Sequence, residues 1–238
     1  MLRRVLSVVL SVGLLAGAAG ALPAAAADPS PAPGFATPDE AVKAYLAGVS
    51  DADIAQVLAS AAIDEMATGF DFTAYIERLR AWIPYLAPAP ATDPFLIEMN
   101  RAQQTAQLLG QTRMLIYSVL TAENLEGGTV APVDGAWAQG FIEQMDLSRL
   151  GGLVVETVAF ADADLQATPR YLDNTAKQAA VEGADELTER VALVSFEGRR
   201  YQVGFTLLRY GDTWKVGWQS SAIAGTPATG VATPVEAP

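Results

Sequence analysis

The hydrophobic period of this chain changes at about residue 150. Before that point apolar residues recur three and four apart, and in the strands that follow they alternate. A helix places i, i+3 and i+4 on one face, whereas a strand places i and i+2 there. The two halves must therefore be different secondary structure. Helices first and strands afterwards is an α+β order, not the alternation that builds a parallel α/β sheet.

The helical half carries explicit start signals. Thr37-Pro38-Asp39-Glu40 offers a cap, a first-position proline and a capping-box glutamate. Val42, Tyr45, Leu46 and Val49 follow on one face. Ser50-Asp51-Ala52-Asp53 restarts a helix with Ile54, Val57, Leu58 and Ala61 inward. A third helix is predicted from Asp71 to Leu86, burying Phe72, Tyr75, Ile76, Leu79 and Trp82, with Pro84, Pro88 and Pro90 to end it. Asp93-Pro94 opens a fourth, whose inner stripe reads Phe95, Met99, Ala102, Ala106 and Leu109 and which extends past Gly110 to Leu120. A loop at Glu126–Pro132 and a short helix over Ala136–Met145 complete this half.

The second half reads as a strand over Leu153–Ala161, then a short helix or irregular connection from Thr168-Pro169 to Val181. Strands Leu187–Phe196, Tyr201–Arg209 and Thr213–Gln219 follow, joined by Glu197-Gly198 and Gly211-Asp212, both suited to tight hairpins. Strict alternation puts Val203, Phe205 and Leu207 on one face, and Trp214, Val216 and Trp218 on one face, as a core stripe.

Two stretches carry a resemblance. One is Thr37-Pro38-Asp39-Glu40-Ala41-Val42-Lys43-Ala44-Tyr45-Leu46 with Ser50-Asp51-Ala52-Asp53. The other is the closing hairpin Phe205–Trp218, with Arg209-Tyr210-Gly211-Asp212-Thr213-Trp214-Lys215-Val216. Together they resemble the NTF2-like superfamily, a cone of helices wrapped by a bent antiparallel sheet. Residues 71–150 hold more helix than a minimal member has. One NTF2-like domain over residues 37–224, elaborated at 71–150, fits this pattern. A separate helical subdomain followed by a small antiparallel sheet fits it as well. The resemblance implies a binding or scaffold role, a cone pocket for a small apolar ligand or for isomerase or dehydratase chemistry, or a part in secretion or conjugation machinery. The dehydratase version uses histidine, which this chain lacks.

The ends suggest export. Arg3 and Arg4 precede an apolar run from Val5 to Leu15, and Leu22-Pro23-Ala24-Ala25-Ala26-Ala27 supplies small residues for cleavage. That is the form of a secretory signal peptide over residues 1–27. The run is short of the ~20 apolar residues of a spanning helix, so no stable membrane span is expected after cleavage. Residues 28–36 read as a linker and residues 225–238 as a disordered tail. Removing residues 1–27 takes away Arg3 and Arg4 and no acid. That leaves 13 basic against 27 acidic residues and a net charge of −14. Such a balance excludes nucleic acid as a partner. A small apolar ligand or an envelope protein is expected instead, and the sheet is a surface for a homodimer.

Histidine and cysteine are both absent. Serine–histidine and cysteine–histidine nucleophiles, Cys/His zinc sites and His- or Cys-ligated haem are therefore excluded. No catalytic residue, metal or cofactor is implied. Asp162 and Asp164 could share a side if extended, but two acids fall short of a calcium ligand set, and solvated acids are the plainer reading. The polar and small face of the last strands, with Gly204, Thr206, Gly217 and Gln219, is the candidate ligand-binding surface. The expected function is a non-catalytic extracytoplasmic binding or scaffold module of the cell envelope. Intact mass of the protein from envelope or medium should place the mature N-terminus at Asp28; full-length chain in the cytoplasm alone would refute export.

Overall fold

The computed structural model describes residues 34–82, 87–121, 125 and 133–235. Helices come first: α1 (Pro38–Ser50), α2 (Ile54–Ala59), α3 (Ile63–Gly69), α4 (Phe72–Leu79), α5 (Pro94–Leu120) and α6 (Gly135–Gln144). A 3-10 turn at Leu147–Gly152 leads into β1 (Val154–Phe160). The short α7 (Ala163–Gln166) and α8 (Pro169–Val181) precede β2 (Glu186–Phe196), β3 (Arg199–Tyr210), β4 (Thr213–Trp218) and β5 (Thr233–Val235). The sheet is antiparallel in the order β1-β2-β3-β4, with β5 added beside the start of β3.

The caps act as their chemistry requires. Thr37 Oγ1 accepts from the Glu40 N–H at 3.2 Å, and the Glu40 carboxylate accepts from the Thr37 N–H at 3.1 Å. Asp93 and Thr168 cap α5 and α8, each followed by a proline. Glu197 and Gly198 have φ of 48° and 78°, the left-handed pair that a two-residue hairpin of matching twist needs.

One face of the sheet carries the main core. Ala192, Val194 and Phe196 of β2, Val203, Phe205 and Leu207 of β3, and Trp214 and Val216 of β4 pack against Val42, Tyr45, Leu46 and Val49 of α1 and Leu108, Leu115 and Val119 of α5. The Tyr45 and Phe205 rings meet edge to face at 5.4 Å. The other face carries a smaller cluster, in which Leu187 and Leu208 pack with Ala62, Met66 and Ala179.

Several expectations are corrected. Trp218 does not share the face of Trp214 and Val216. Leu207 pairs with Val216 but Thr206 pairs with Trp218, so Gly217 is an extra residue, a β-bulge. An extra residue breaks the two-residue period and turns the next side chain over. Trp218 therefore joins Leu208 on the smaller cluster. The predicted inner stripe of α5 is also wrong: Phe95 and Met99 are 71% and 52% exposed, and the buried row is Asn100, Gln104, Leu108, Gln111, Thr112, Leu115 and Val119. Its first members are amides, which a hydrophobic count passes over. The helix after Asp71 stops at Leu79, where Arg80 turns left-handed, and Leu79 and Trp82 are exposed. A separate α3, not anticipated, precedes it. The loop predicted at 126–132 lies outside the described residues.

Both expected loose ends are built in. The predicted linker finishes inside the fold: Phe35 and Trp214 exchange backbone hydrogen bonds of 3.1 and 2.8 Å. The predicted tail folds back through residue 235. The Gln111 side chain donates to the Ala228 carbonyl, Ser118 Oγ accepts from the Ala232 N–H, and Thr233–Val235 pair with Arg200–Gln202. Small apolar residues such as Val231 and Ala232 suffice because backbone pairing and a slot beside α5 hold them. The outer edge of β4 is covered by Phe35 and by Ser60 and Ala62, whose backbones bond Val216.

Deleting Gly225–Pro238 should therefore cost on the order of 3 kcal/mol, from buried Val231 and the lost pairing. Trp214→Ala should cost about 3–5 kcal/mol, as for a core aromatic, and more than Trp218→Ala at its half-buried site. Denaturant melts of the three variants give the ranking, and a wild-type midpoint for the truncation would contradict it.

Candidate functional site

Among the described residues, the four singled out on the last strands do not share one face or line one cleft. Gln219, 2% exposed, is turned into the main core by the bulge. Its Oε1 accepts from the Tyr45 hydroxyl at 2.8 Å, its Nε2 donates to the Gly230 carbonyl at 2.6 Å, and its N–H donates to Gln111 Oε1 at 3.0 Å. Burial pushes the Tyr45 phenol well above its ordinary range, so it stays a neutral donor. Thr206 lies on the opposite face and donates to the Ser220 carbonyl at 2.8 Å. Gly204 is covered by the returning chain: a Cβ there would stand 2.1 Å from Thr226 Oγ1. A Cβ on Gly217 would stand 3.0 Å from Leu208 Cδ1. These positions serve packing. Asp162 and Asp164 separate in role: Asp162 caps α7, accepting from the Leu165 N–H at 2.9 Å, and Asp164 lies in its first turn.

The concentration of polar and aromatic side chains lies on the other side of the sheet, in a cleft of about 240 Å³ between α4, α5, α8 and the end of β4. Local rules place each wall. Asp71 caps α4, accepting from the Ala74 N–H at 2.9 Å, and Tyr75, Arg78 and Leu79 fall on one side of the cleft. From α5 come Gln103, Gln104 and Gln107; from α8 and its C-terminal end come Gln178, Val181 and Glu182. Trp218 enters because the bulge turned it outward. The α3 and α8 ends meet backbone to backbone: the Asp71 N–H donates to the Val181 carbonyl at 2.9 Å. Gly183 has φ of 66°, and a Cβ there would lie 2.3 Å from the Gly69 carbonyl oxygen, so only glycine permits this joint.

Glu182 is the unusual group. It is 5% exposed, and desolvation pushes its carboxyl up to about 7, opposed by a hydrogen bond from Gln178 and by the charge of Arg78. Gln178 Nε2 donates to Glu182 Oε1 at 2.6 Å. Behind it, the Tyr210 hydroxyl donates to the Glu182 carbonyl at 3.0 Å, and buried Lys215 donates to half-buried Glu65 at 2.5 Å. Two polar groups on the cleft wall are left over. Arg78 Nε is buried with no acceptor. Gln104 is 7% exposed and no hydrogen bond holds its amide among the described residues, but the amide atoms still reach solvent, so only Arg78 Nε is a buried orphan here. Buried polar atoms are ordinarily paired, and each exception calls for a reason.

A neighbouring groove of about 590 Å³, walled by Phe72, Trp82, Pro88, Pro90 and Met99, is larger but apolar. Its Asn100 is already tied to the Ala89 backbone through two 2.8 Å hydrogen bonds, and no titratable group lines it among the described residues. The smaller cleft holds the chemistry. Sequence reasoning missed it. The available signals were a glutamine row on α5 (103, 104, 107 and 111) and the Gln178–Glu182 spacing of one helical turn.

No protein-family model and no curated protein matches the chain. Among solved structures, it is similar to a cystatin-like protein from Ruminococcus gnavus ATCC 29149, with a TM-score of 0.50 and 18% identity. The similarity covers 84% of this chain and 44% of that one, so this chain matches less than half the length of its structural neighbour. At that identity the likeness concerns the fold: helices followed by an open antiparallel sheet, an α+β arrangement of the cystatin-like kind.

The raised Glu182 pKa sets a pH dependence. The unfolded carboxyl ionises near 4.5 and the folded one near 7, so the native state holds the extra proton between these values. Stability is full below about 4.5, falls as pH rises to about 7, and is then level, by a total on the order of 3 kcal/mol. Glu182→Gln should flatten this slope and melt above wild type at pH 8 while matching it near pH 4.5. Parallel slopes for the two proteins would show that Glu182 titrates normally.

Proposed function

We propose that this chain is a non-catalytic extracytoplasmic binding module, an elaborated NTF2-like protein whose ligand site is the cleft beneath Trp218 and not the interior of the cone. The observation that carries the reading is Arg78 Nε, buried without an acceptor among the described residues, together with the unpartnered Gln104 amide across the same cleft. A bound polar molecule would supply partners to both, and satisfying the buried Arg78 donor is worth ~1–3 kcal/mol. A main core filled by Tyr45, Phe205 and Leu115 supports leaving the cone to packing. The cleft's single carboxyl, without a second carboxylate or a nucleophile beside it, supports binding over hydrolysis, which ordinarily needs two cooperating groups. Export rests on the Arg3-Arg4 and Ala25-Ala27 pattern, and an envelope setting follows from it.

A thermal-shift screen of small polar molecules tests the reading, since a ligand that prefers the native state raises the melting temperature by mass action. Wild type should shift with at least one compound class, and Gln104→Leu should not. If no class shifts wild type and Gln104→Leu melts higher than wild type without ligand, the orphaned amide is a packing defect and the reading fails.

A further inference from the structure

The composition of the cleft wall narrows the ligand further, on the reading that the cleft is a binding site. Its charged side chains are one arginine, Arg78, and one carboxyl, Glu182, close enough for Arg78 to act on Glu182 electrostatically. They offset one another once Glu182 ionises, above about pH 7. An anionic ligand would meet a single cation with a carboxyl beside it, in a protein of net charge −12. A cationic ligand would meet Arg78. Phosphate recognition draws on several cations or on backbone N–H groups at a helix start. The cleft instead draws on the middle of α5 and the end of α8. The dominant polar chemistry is four primary amides, on Gln103, Gln104, Gln107 and Gln178. Each amide presents a donor and an acceptor side by side. A hydroxyl is also donor and acceptor at once, so neighbouring hydroxyls on a ring match such a surface without any charge.

The apolar part of the wall fits the same chemistry. Trp218, Phe70 and Tyr75 all line the cleft, the last two with ring centroids 5.7 Å apart. Aromatic rings offer flat, weakly polar faces on which the C–H side of a saturated ring can lie while its hydroxyls turn to the amides. The volume of about 240 Å³ lies just below the usual 300–1,000 Å³ of drug-sized sites, so it accommodates a single ring. We infer that the cleft between α4, α5, α8 and Trp218 binds an uncharged, polyhydroxylated ring, a neutral sugar either free or as the end residue of a glycan. Gln104 and Arg78 Nε, which have no protein partner among the described residues, contact the ligand, and the exposed Gln107 adds an adjustable contact.

Saturation-transfer NMR with calorimetric titration tests this on the mature chain. The panel holds neutral hexoses and pentoses, short neutral oligosaccharides, uronic acids, dicarboxylates, amino acids and diamines. Saturable binding of a neutral sugar is expected, at least tenfold weaker in Gln104→Leu and in the surface variant Gln107→Ala, which leaves the core untouched. Stronger binding of the oligosaccharide than of its monomer identifies a glycan end, and the reverse identifies a free sugar; both support the inference. Binding of a carboxylate, amino acid or diamine but of no neutral sugar overturns the ligand class while the binding-site reading stands. Neutral-sugar binding that neither variant weakens overturns the assignment to this cleft. No binding by any class overturns both.

Discussion

The architecture turns on one inserted residue in the last long strand. At Gly217 the ladder between β3 and β4 takes two residues on one side against one on the other. Side chains before the bulge, Trp214 and Val216, close the main core. Those after it exchange faces: Trp218 goes to the cleft and Gln219 to the core. Without the bulge Trp218 would compete for space in a core already filled by Tyr45, Phe205 and Leu207, and Gln219 would be turned away from Tyr45. Glycine suits the place, because its missing side chain leaves room for Leu208. The polar junction of Tyr45, Thr112, Gln111 and Gln219 then ties α1, α5 and the returning C-terminal segment together. A buried network of this kind is favourable only when nearly every member is satisfied, and here the Gln219 donors and acceptor all have partners.

The cleft obeys the opposite logic. The main core satisfies its polar groups, whereas the cleft leaves Arg78 Nε and the Gln104 amide without partners and holds Glu182 where ionisation is opposed. The buried Arg78 donor and the raised Glu182 carboxyl each lower stability, and α4, α8 and α5 bring them to one cleft with Gln104. Concentrated destabilisation of this sort is how a site differs from a core, since binding groups must be pre-positioned and unsatisfied until the ligand arrives. The frame that holds them is stiff. The Gly69–Gly183 contact fixes α8 against α3, and the Asp71 N–H fixes the start of α4 to the end of α8. The wall groups are thus held on helices and their capped ends, not on a long loop.

Much of the order along the chain was legible because it is written locally. Thr37, Asp93 and Thr168 start helices through their own side chains, and Glu197-Gly198 turns a hairpin through its own backbone. These effects act within three or four residues and require no knowledge of the fold. The alternation of β2 and β3 was legible for the same reason. The α5 face was not: its buried row begins with Asn100 and Gln104, whose burial depends on the Ala89 loop and on α4 and α8, distant in sequence. The tail was not legible either. Residues 225–235 are small and polar, and they are ordered by pairing to β3 and by side chains of α5.

The sequence by itself determined the class of fold, the capped helix starts, the hairpins and the exclusion of histidine and cysteine chemistry. Those follow from covalent geometry, short-range hydrogen bonds and residue inventory. Only the tertiary structure decided which tryptophan is core and which is wall, that Gln219 points inward, and that Arg78, Gln104 and Glu182 share a cleft. A bulge shifts a period that alternation assumes constant, and a site made from three helices and a strand end depends on packing between residues more than a hundred positions apart.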